Sequence, residues 1–204
     1  MDTSNSRSFR ETLSDIHEDL DRYVLLNPDR HWLTTFLVTG GIWVTMQYRL
    51  SRWVHYRCHT PIFRQLLKVV CFFTQKSVEI LACVELPNRA QVGKGLLLAH
   101  PNGIVIHVDA KIGDYCNIGQ QVTIGVGGRQ EKRGTPCIGD RVFIAPGAKL
   151  FGPITVGNHV AIGANAVVTK DIPDNAVAVG IPAKVISFSG SGDFIVIRDS
   201  ESNT

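Results

Sequence analysis

The sequence predicts a parallel β-helix built from hexapeptide repeats, preceded by an α-helical N-terminal domain. Three observations carry this. Aliphatic residues recur every six positions, as Ile106, Ile112, Ile118 and Ile124, then Ile138, Ile144, Leu150, Val156, Ile162 and Val168. Gly follows the aliphatic position at 113, 119, 125, 139, 157 and 163, while Ala110, Cys116, Val122, Val142, Ala148, Val160 and Ala166 stand four positions after it. Before Leu86 the apolar residues instead recur at helical spacing. A period of six fits neither the 3.6 of a helix nor the alternation of a strand; it marks a solenoid in which each repeat supplies one short strand and one turn.

In the helical part the apolar positions are Leu13, Ile16 and Leu20, then Trp43, Met46, Leu50, Trp53 and Val54, then Ile62, Leu66, Leu67, Val69 and Val70. Asn27-Pro28-Asp29 and Thr60-Pro61 punctuate them, with Pro28 and Pro61 each placed to open a new helix. Trp32 to Met46 is uncharged but only 15 residues long, short of the roughly 20 a spanning helix needs, and reads as a buried helix. A lesser reading is peripheral membrane contact through Trp43 and Trp53 with Arg49, Arg52 and Arg57. The chain divides into a helical domain over 1–84, a β-helix over 85–186 and a tail over 187–204.

Stacked coils sit roughly 4.8 Å apart, so each aliphatic side chain rests on its equivalents above and below. The interior is a column of Ile, Leu and Val. At the corners bulk does not fit, and a positive φ would account for the recurrent Gly. Three repeats make a coil, which yields roughly four to five coils and a continuous core. Between Ile124 and Ile138 the period breaks, and the polar, basic "GVGGRQEKRGTP" is predicted to leave the wall as a loop, the part of a rigid scaffold where binding usually resides.

Composition narrows the function. With 44% hydrophobic and 19% charged residues and a net charge of +3, the chain is an ordinary globular protein whose charge is too mild and scattered for a nucleic-acid partner. The N-terminal "MDTSNSRSFRETLSD" has no apolar core and is not a secretory signal, so a cytoplasmic location is expected. Five cysteines without a CxxC pair fit reduced, structural thiols. His55 and His59 form an i, i+4 pair that could hold a metal, but nothing acidic accompanies them.

On these residues the chain resembles the hexapeptide-repeat acyltransferases, and within them the serine acetyltransferase family. "DIHEDLDRY" followed by "MQYRLSRWVH" resembles that family's helical domain, "GIVIHVDAKIGDYCNIGQQVTIG" its first complete coil, and "VGIPAKVI" its ending. The resemblance implies a left-handed winding of the β-helix and a homotrimer, with a dimer of trimers left open. It implies acetyl-CoA as co-substrate, no metal, and a small hydroxyl acceptor. His100 is then the general base and Glu85, 15 positions earlier, the carboxylate that supports it. The pairing suits the chemistry: a hydroxyl is a poor nucleophile until a base removes its proton, and imidazole titrates near neutral pH. A carboxylate on the other ring nitrogen fixes the tautomer and stabilises the imidazolium. For CoA the candidates are Gly125, Gly127 and Gly128 in the loop, Ala145 and Pro146 on the wall, and Lys184 near the end. Cys116 falls at a small interior position, which argues against a covalent cysteine route.

The chain departs from the family where a serine would be gripped. Ala99 stands where the family has Asp, and Gly134-Thr135 where it has Arg-His. A sugar or polysaccharide hydroxyl is therefore the alternative acceptor. Less favoured are a metal enzyme resembling the γ-type carbonic anhydrases, with His100 and His107 as ligands, and a non-catalytic scaffold. The tail "SESNT" lacks the family's terminal Ile, so a cysteine synthase complex is not expected.

Overall fold

The computed structural model describes residues 7–58 and 60–197, so the His55–His59 pair and the last seven residues lie outside the described part of the chain. Four helices come first: α1 (Phe9–Leu25), α2 (Trp32–Val38), α3 (Gly40–Tyr56) and α4 (Pro61–Ala82). α1 begins with a capping box, Ser8 accepting from the Glu11 N–H while the Glu11 carboxylate accepts from the Ser8 N–H, which satisfies two donors a helix start otherwise leaves unpaired. Pro61 opens α4 as expected, its missing N–H harmless at that position. Pro28 does not open a helix. It lies in the turn between α1 and α2, and α2 starts at Trp32 with the His31 ring as its cap.

The expectation of one buried helix over Trp32–Met46 is also corrected. The chain breaks at Thr39, which is extended, and α2 leaves Trp32, Leu37 and Val38 about 60% exposed. The reason for the break is contact with the β-helix: a Cβ on Gly41 would stand 2.2 Å from the Leu98 carbonyl oxygen, so the second half must approach the first coil without a side chain.

From Val84 onward the chain winds round a three-sided prism. Its faces are sheets of five, four and five short strands, every pairing parallel except the last, where 177–179 meets 184–187 antiparallel. Strand partners are 18 residues apart in plain coils, as Val105 with Thr123 and Ile144 with Ile162, and 26 apart where the loop intervenes, as Ile118 with Ile144. The loop thus adds eight residues to a three-repeat coil. All ten aliphatic positions are at most 4% exposed, and the seven small positions are completely buried. Each of the Ile, Leu and Val side chains contributes about 1.5–3 kcal/mol.

The glycines meet one half of the expectation, since bulk does not fit at the corners, and not the other. Gly113, Gly139 and Gly157 do not hold positive φ; the left-handed positions fall two residues later, at Tyr115, Arg141 and His159, and on the next edge at Gln121 and Asn165. What excludes a side chain at these glycines is the neighbouring coil, since a Cβ on Gly113 would lie 2.6 Å from the Gly139 carbonyl carbon. On the same edge a ladder of side chains ties coil to coil. Asp140 Oδ1 accepts from the Asp114 N–H at 2.7 Å, Asn158 Oδ1 from the Asp140 N–H at 2.8 Å, and Asp174 Oδ1 from the Asn158 N–H at 2.7 Å. Asn158→Ala removes one rung, and with a net contribution of about 1 kcal/mol the melting temperature is expected to fall by roughly 2–4 °C in a chain of this size; calorimetry reads it.

Polar groups set the helical domain on the first coil. Arg49, read from the sequence as part of an exposed basic run, is 4% exposed. It donates to both oxygens of Asp19 at 3.0 and 3.1 Å and to the carbonyls of Val92 and Gly93. Burial works against its charge, but the Asp19 carboxylate outweighs burial and raises its pKa. Arg22 donates to the Gly95 carbonyl and to Asn117 Oδ1, both at 2.7 Å. Burial draws it down to about 10, so it stays charged at neutral pH. The Tyr23 hydroxyl accepts from the Leu98 N–H at 2.9 Å. These contacts hold α1 and α3 against the turn that carries His100.

Candidate active site

His100 lies in the turn that joins the third face to the first, between buried Leu98 and buried Ile104. It is exposed and borders a cavity of about 730 Å³. The walls come from three places: Asn27 and Arg30 in the turn after α1, Thr39 and Gly40 where α2 meets α3, and Asn102 and Gln120 on the wall itself. The sequence marked Asn27-Pro28-Asp29 only as punctuation and did not single out Arg30, Asn102 or Gln120. Polar side chains in a turn that abuts the coil were the available signal.

The edge that carries His100 continues through the molecule as a column of corners. Gln121 N–H donates to the Asn102 carbonyl at 2.7 Å, Gly147 N–H to Gln120 at 2.9 Å, and Asn165 N–H to Pro146 at 3.0 Å. Ala145 and Pro146 therefore stand one coil above the His100 cavity. Lys184 is exposed at the upper end of the same edge, where Val167 N–H reaches Gly180 and Lys184 pairs with Val179. Two of the three groups assigned to CoA from the sequence thus share one edge with His100.

The third group does not. Gly125 ends a strand of the first face, and the loop leaves from the opposite side of that face. Gly127 and Gly134 close the loop base, each donating its N–H to the other's carbonyl, at 2.9 and 3.0 Å. A Cβ on Gly127 would meet the Gly152 nitrogen at 2.7 Å, and Gly128 holds φ +82°, so both depend on the absence of a side chain.

Glu85 sits on the first face, paired with Val105 in the coil above, and its side chain points outward. It borders a separate cavity with Lys76, Glu79 and His107. No hydrogen bond or ion pair joins Glu85 to His100 among the described residues of one chain. His100 and His107 likewise border different cavities. Cys116 is fully buried, its Sγ 3.2 Å from the Gly139 carbonyl oxygen, and burial pushes the thiol up to about 12. A thiol so protected supplies no nucleophile at neutral pH.

A hexapeptide prism alone serves several chemistries, so the comparison with other chains decides the family. The chain is 36% identical over 174 residues to the serine acetyltransferase of Helicobacter pylori, a match that covers 85% of this chain and 97% of that one. The chain belongs to the serine acetyltransferase family. To the serine acetyltransferase of Synechococcus elongatus it is 35% identical over 161 residues, 79% of this chain and 63% of that longer relative. Its fold is similar to that of the Brucella abortus serine acetyltransferase solved in complex with coenzyme A, with a TM-score of 0.76 and 27% identity over 89% of this chain and 70% of the other. No family model matches the chain. Among the described residues no helix is long and apolar enough to cross a membrane, and no group of three or more His, Cys, Asp or Glu side chains gathers as a metal site would require.

Proposed function

We propose that this chain transfers the acetyl group of acetyl-CoA to the hydroxyl of L-serine, acting in the cytoplasm. The observation that carries the proposal is an exposed imidazole at the mouth of a polar cavity in a chain of the serine acetyltransferase family. In the reaction His100 takes the proton of the bound hydroxyl as its oxygen attacks the thioester carbonyl. The C–O bond forms, the C–S bond breaks, and the imidazolium returns the proton to the departing thiolate. The thioester supplies the acyl group directly, so no acyl-enzyme is needed, in keeping with the buried Cys116. Backbone N–H groups beside the carbonyl would hold the oxyanion.

The long arm of the co-substrate would lie along the His100 edge past Ala145 and Pro146 towards Lys184, whose ammonium suits a phosphate. In this reading the prism winds left-handed, and three copies assemble so that the loop of one, with Gly125, Gly127 and Gly128, faces the His100 edge of the next. The separation of loop and His100 on different edges of one chain supports that arrangement. So does α4, which leaves Ile62, Leu66, Phe73 and Ile80 each at least 62% exposed and without cover. Glu85 would reach the imidazole of a neighbour within the same assembly.

Incubation with acetyl-CoA and L-serine tests the reaction. The expected result is serine-dependent release of free CoA thiol with one acetyl group gained on the serine oxygen, read by mass spectrometry. Thiol release that does not depend on an added hydroxyl would contradict it.

A further inference from the structure

Beyond the antiparallel strand 184–187 the chain turns back on itself, and the segment 190–196 runs down the third face to α1. Ser191 is fully buried; its N–H donates to the His159 carbonyl at 3.0 Å and its hydroxyl to the Arg141 carbonyl. One short turn on, the Phe194 ring stacks on Phe143 with centroids 4.4 Å apart. The Phe194 carbonyl accepts from Asn117 Nδ2 at 2.7 Å, and the Val196 carbonyl from Arg22 Nε at 3.1 Å. These contacts descend coil by coil, because Phe143 pairs with Asn117 below it and Asn117 with Leu97 below that.

Arg22 is where this segment meets the helical domain. Its guanidinium is 2% exposed, and its hydrogen-bond partners are neutral oxygens: the carbonyls of Gly95, Cys116 and Val196, and Asn117 Oδ1. A buried cation held by neutral acceptors depends on each of them, since losing one leaves an N–H unpaired. Asn117 is engaged on both sides, its oxygen by Arg22 and its nitrogen by Phe194. Beside Arg22, Tyr23 holds the N–H of Leu98, two residues before His100. Three residues beyond Arg22, α1 ends, and the following turn brings Asn27 and Arg30 to the His100 cavity. We infer that the segment 190–196 is a positioning element of the acetyl-transfer site: by completing the network of Arg22 and Asn117 it fixes the last turn of α1, and with it the cavity wall formed by Asn27 and Arg30. This rests on the acetyl-transfer reading above and adds to it a segment that acts through α1 rather than by touching substrate.

Phe194 is half exposed, so Phe194→Ala removes the stack without opening the core, while Phe194→Tyr keeps it. Both variants of the full chain are read by amide hydrogen exchange and by kcat and KM for L-serine and acetyl-CoA. In Phe194→Ala, exchange is expected to quicken about 3- to 10-fold, the scale of one aromatic stack, at residues 22–30 and 96–98 as well as in 190–196 itself. The KM for L-serine rises by a similar factor, while kcat and the KM for acetyl-CoA stay within about twofold. Phe194→Tyr restores the wild-type values of both readouts. Faster exchange confined to 188–197, or spread evenly over the whole chain, would overturn the inference. So would a KM for L-serine unchanged in Phe194→Ala although residues 22–30 exchange faster. A wild-type chain that turns over no acceptor, with exchange at 22–30 still dependent on Phe194, would contradict acetyl transfer and uphold the hold of the segment on α1.

Discussion

Arg49→Met is expected to destabilise the chain by roughly 3–5 kcal/mol, the scale for removing one partner of a buried ion pair. The Asp19 carboxylate beneath it is 1% exposed and would keep a single described donor, the Leu96 N–H at 2.9 Å. The carbonyls of Val92 and Gly93 would lose their guanidinium at the same time. The loss falls on the junction between α3, α1 and the first coil, so urea unfolding followed by helical signal should show the helical domain leaving at lower denaturant than the coils. A double variant, Arg49→Met with Asp19→Leu, removes that pair and should recover part of the loss, because replacing a buried pair by apolar side chains is often neutral or better, while buried Asp15, 3.8 Å from Arg49, keeps Arg7 at 3.3 Å. A single variant within 1 kcal/mol of the parent, or a double variant that merely adds the two single losses, would show that the pair does not hold the junction.

That junction is also where the sequence was hardest to read. The coil positions were legible because a solenoid repeats the same environment: Ile118, Ile144 and Ile162 occupy one column, and period alone assigns them. The loop was legible as a break in that period. Arg49 was not, since a helix-spaced arginine in a run with Arg52 and Arg57 resembles a solvated face, and only the approach of the first coil buries it. The same approach divides Trp32–Met46 at Thr39 and forbids a side chain at Gly41. The corner glycines were recognised at the right positions, and of the two reasons expected for them the lack of room beside the next coil holds while left-handed backbone does not.

The candidate site divides along the same line. His100, Ala145 and Pro146 fall on one edge because they occupy corners of the same column, with Gln120 in the coil between them, a relation the period encodes; Lys184 reaches that edge through the terminal antiparallel strand, which the period does not announce. The link between Glu85 and His100 came from the family resemblance rather than from the repeat. In the prism the first coil takes 20 residues, since Glu85 pairs with Val105, so 15 residues fall short of one turn and leave Glu85 on a face and His100 in the corner before the next strand of that face. Arg30 and Asn27 come from a turn whose place against the wall depends on how the helices dock, and no repeat announces it.

The central claim is that the His100 imidazole removes the proton from the acceptor hydroxyl. Because His100 is exposed, His100→Asn should alter stability by less than about 0.5 kcal/mol, so its kinetics can be read without a folding correction. General base catalysis by a positioned side chain contributes about 10²- to 10⁴-fold. The decisive measurement is the rate of CoA thiol release from acetyl-CoA with saturating L-serine in wild type and His100→Asn, with unfolding curves run in parallel. The account predicts a kcat lower by at least 100-fold, with KM for acetyl-CoA and the unfolding midpoint essentially unchanged. A folded His100→Asn chain that retains kcat within threefold of wild type would contradict it.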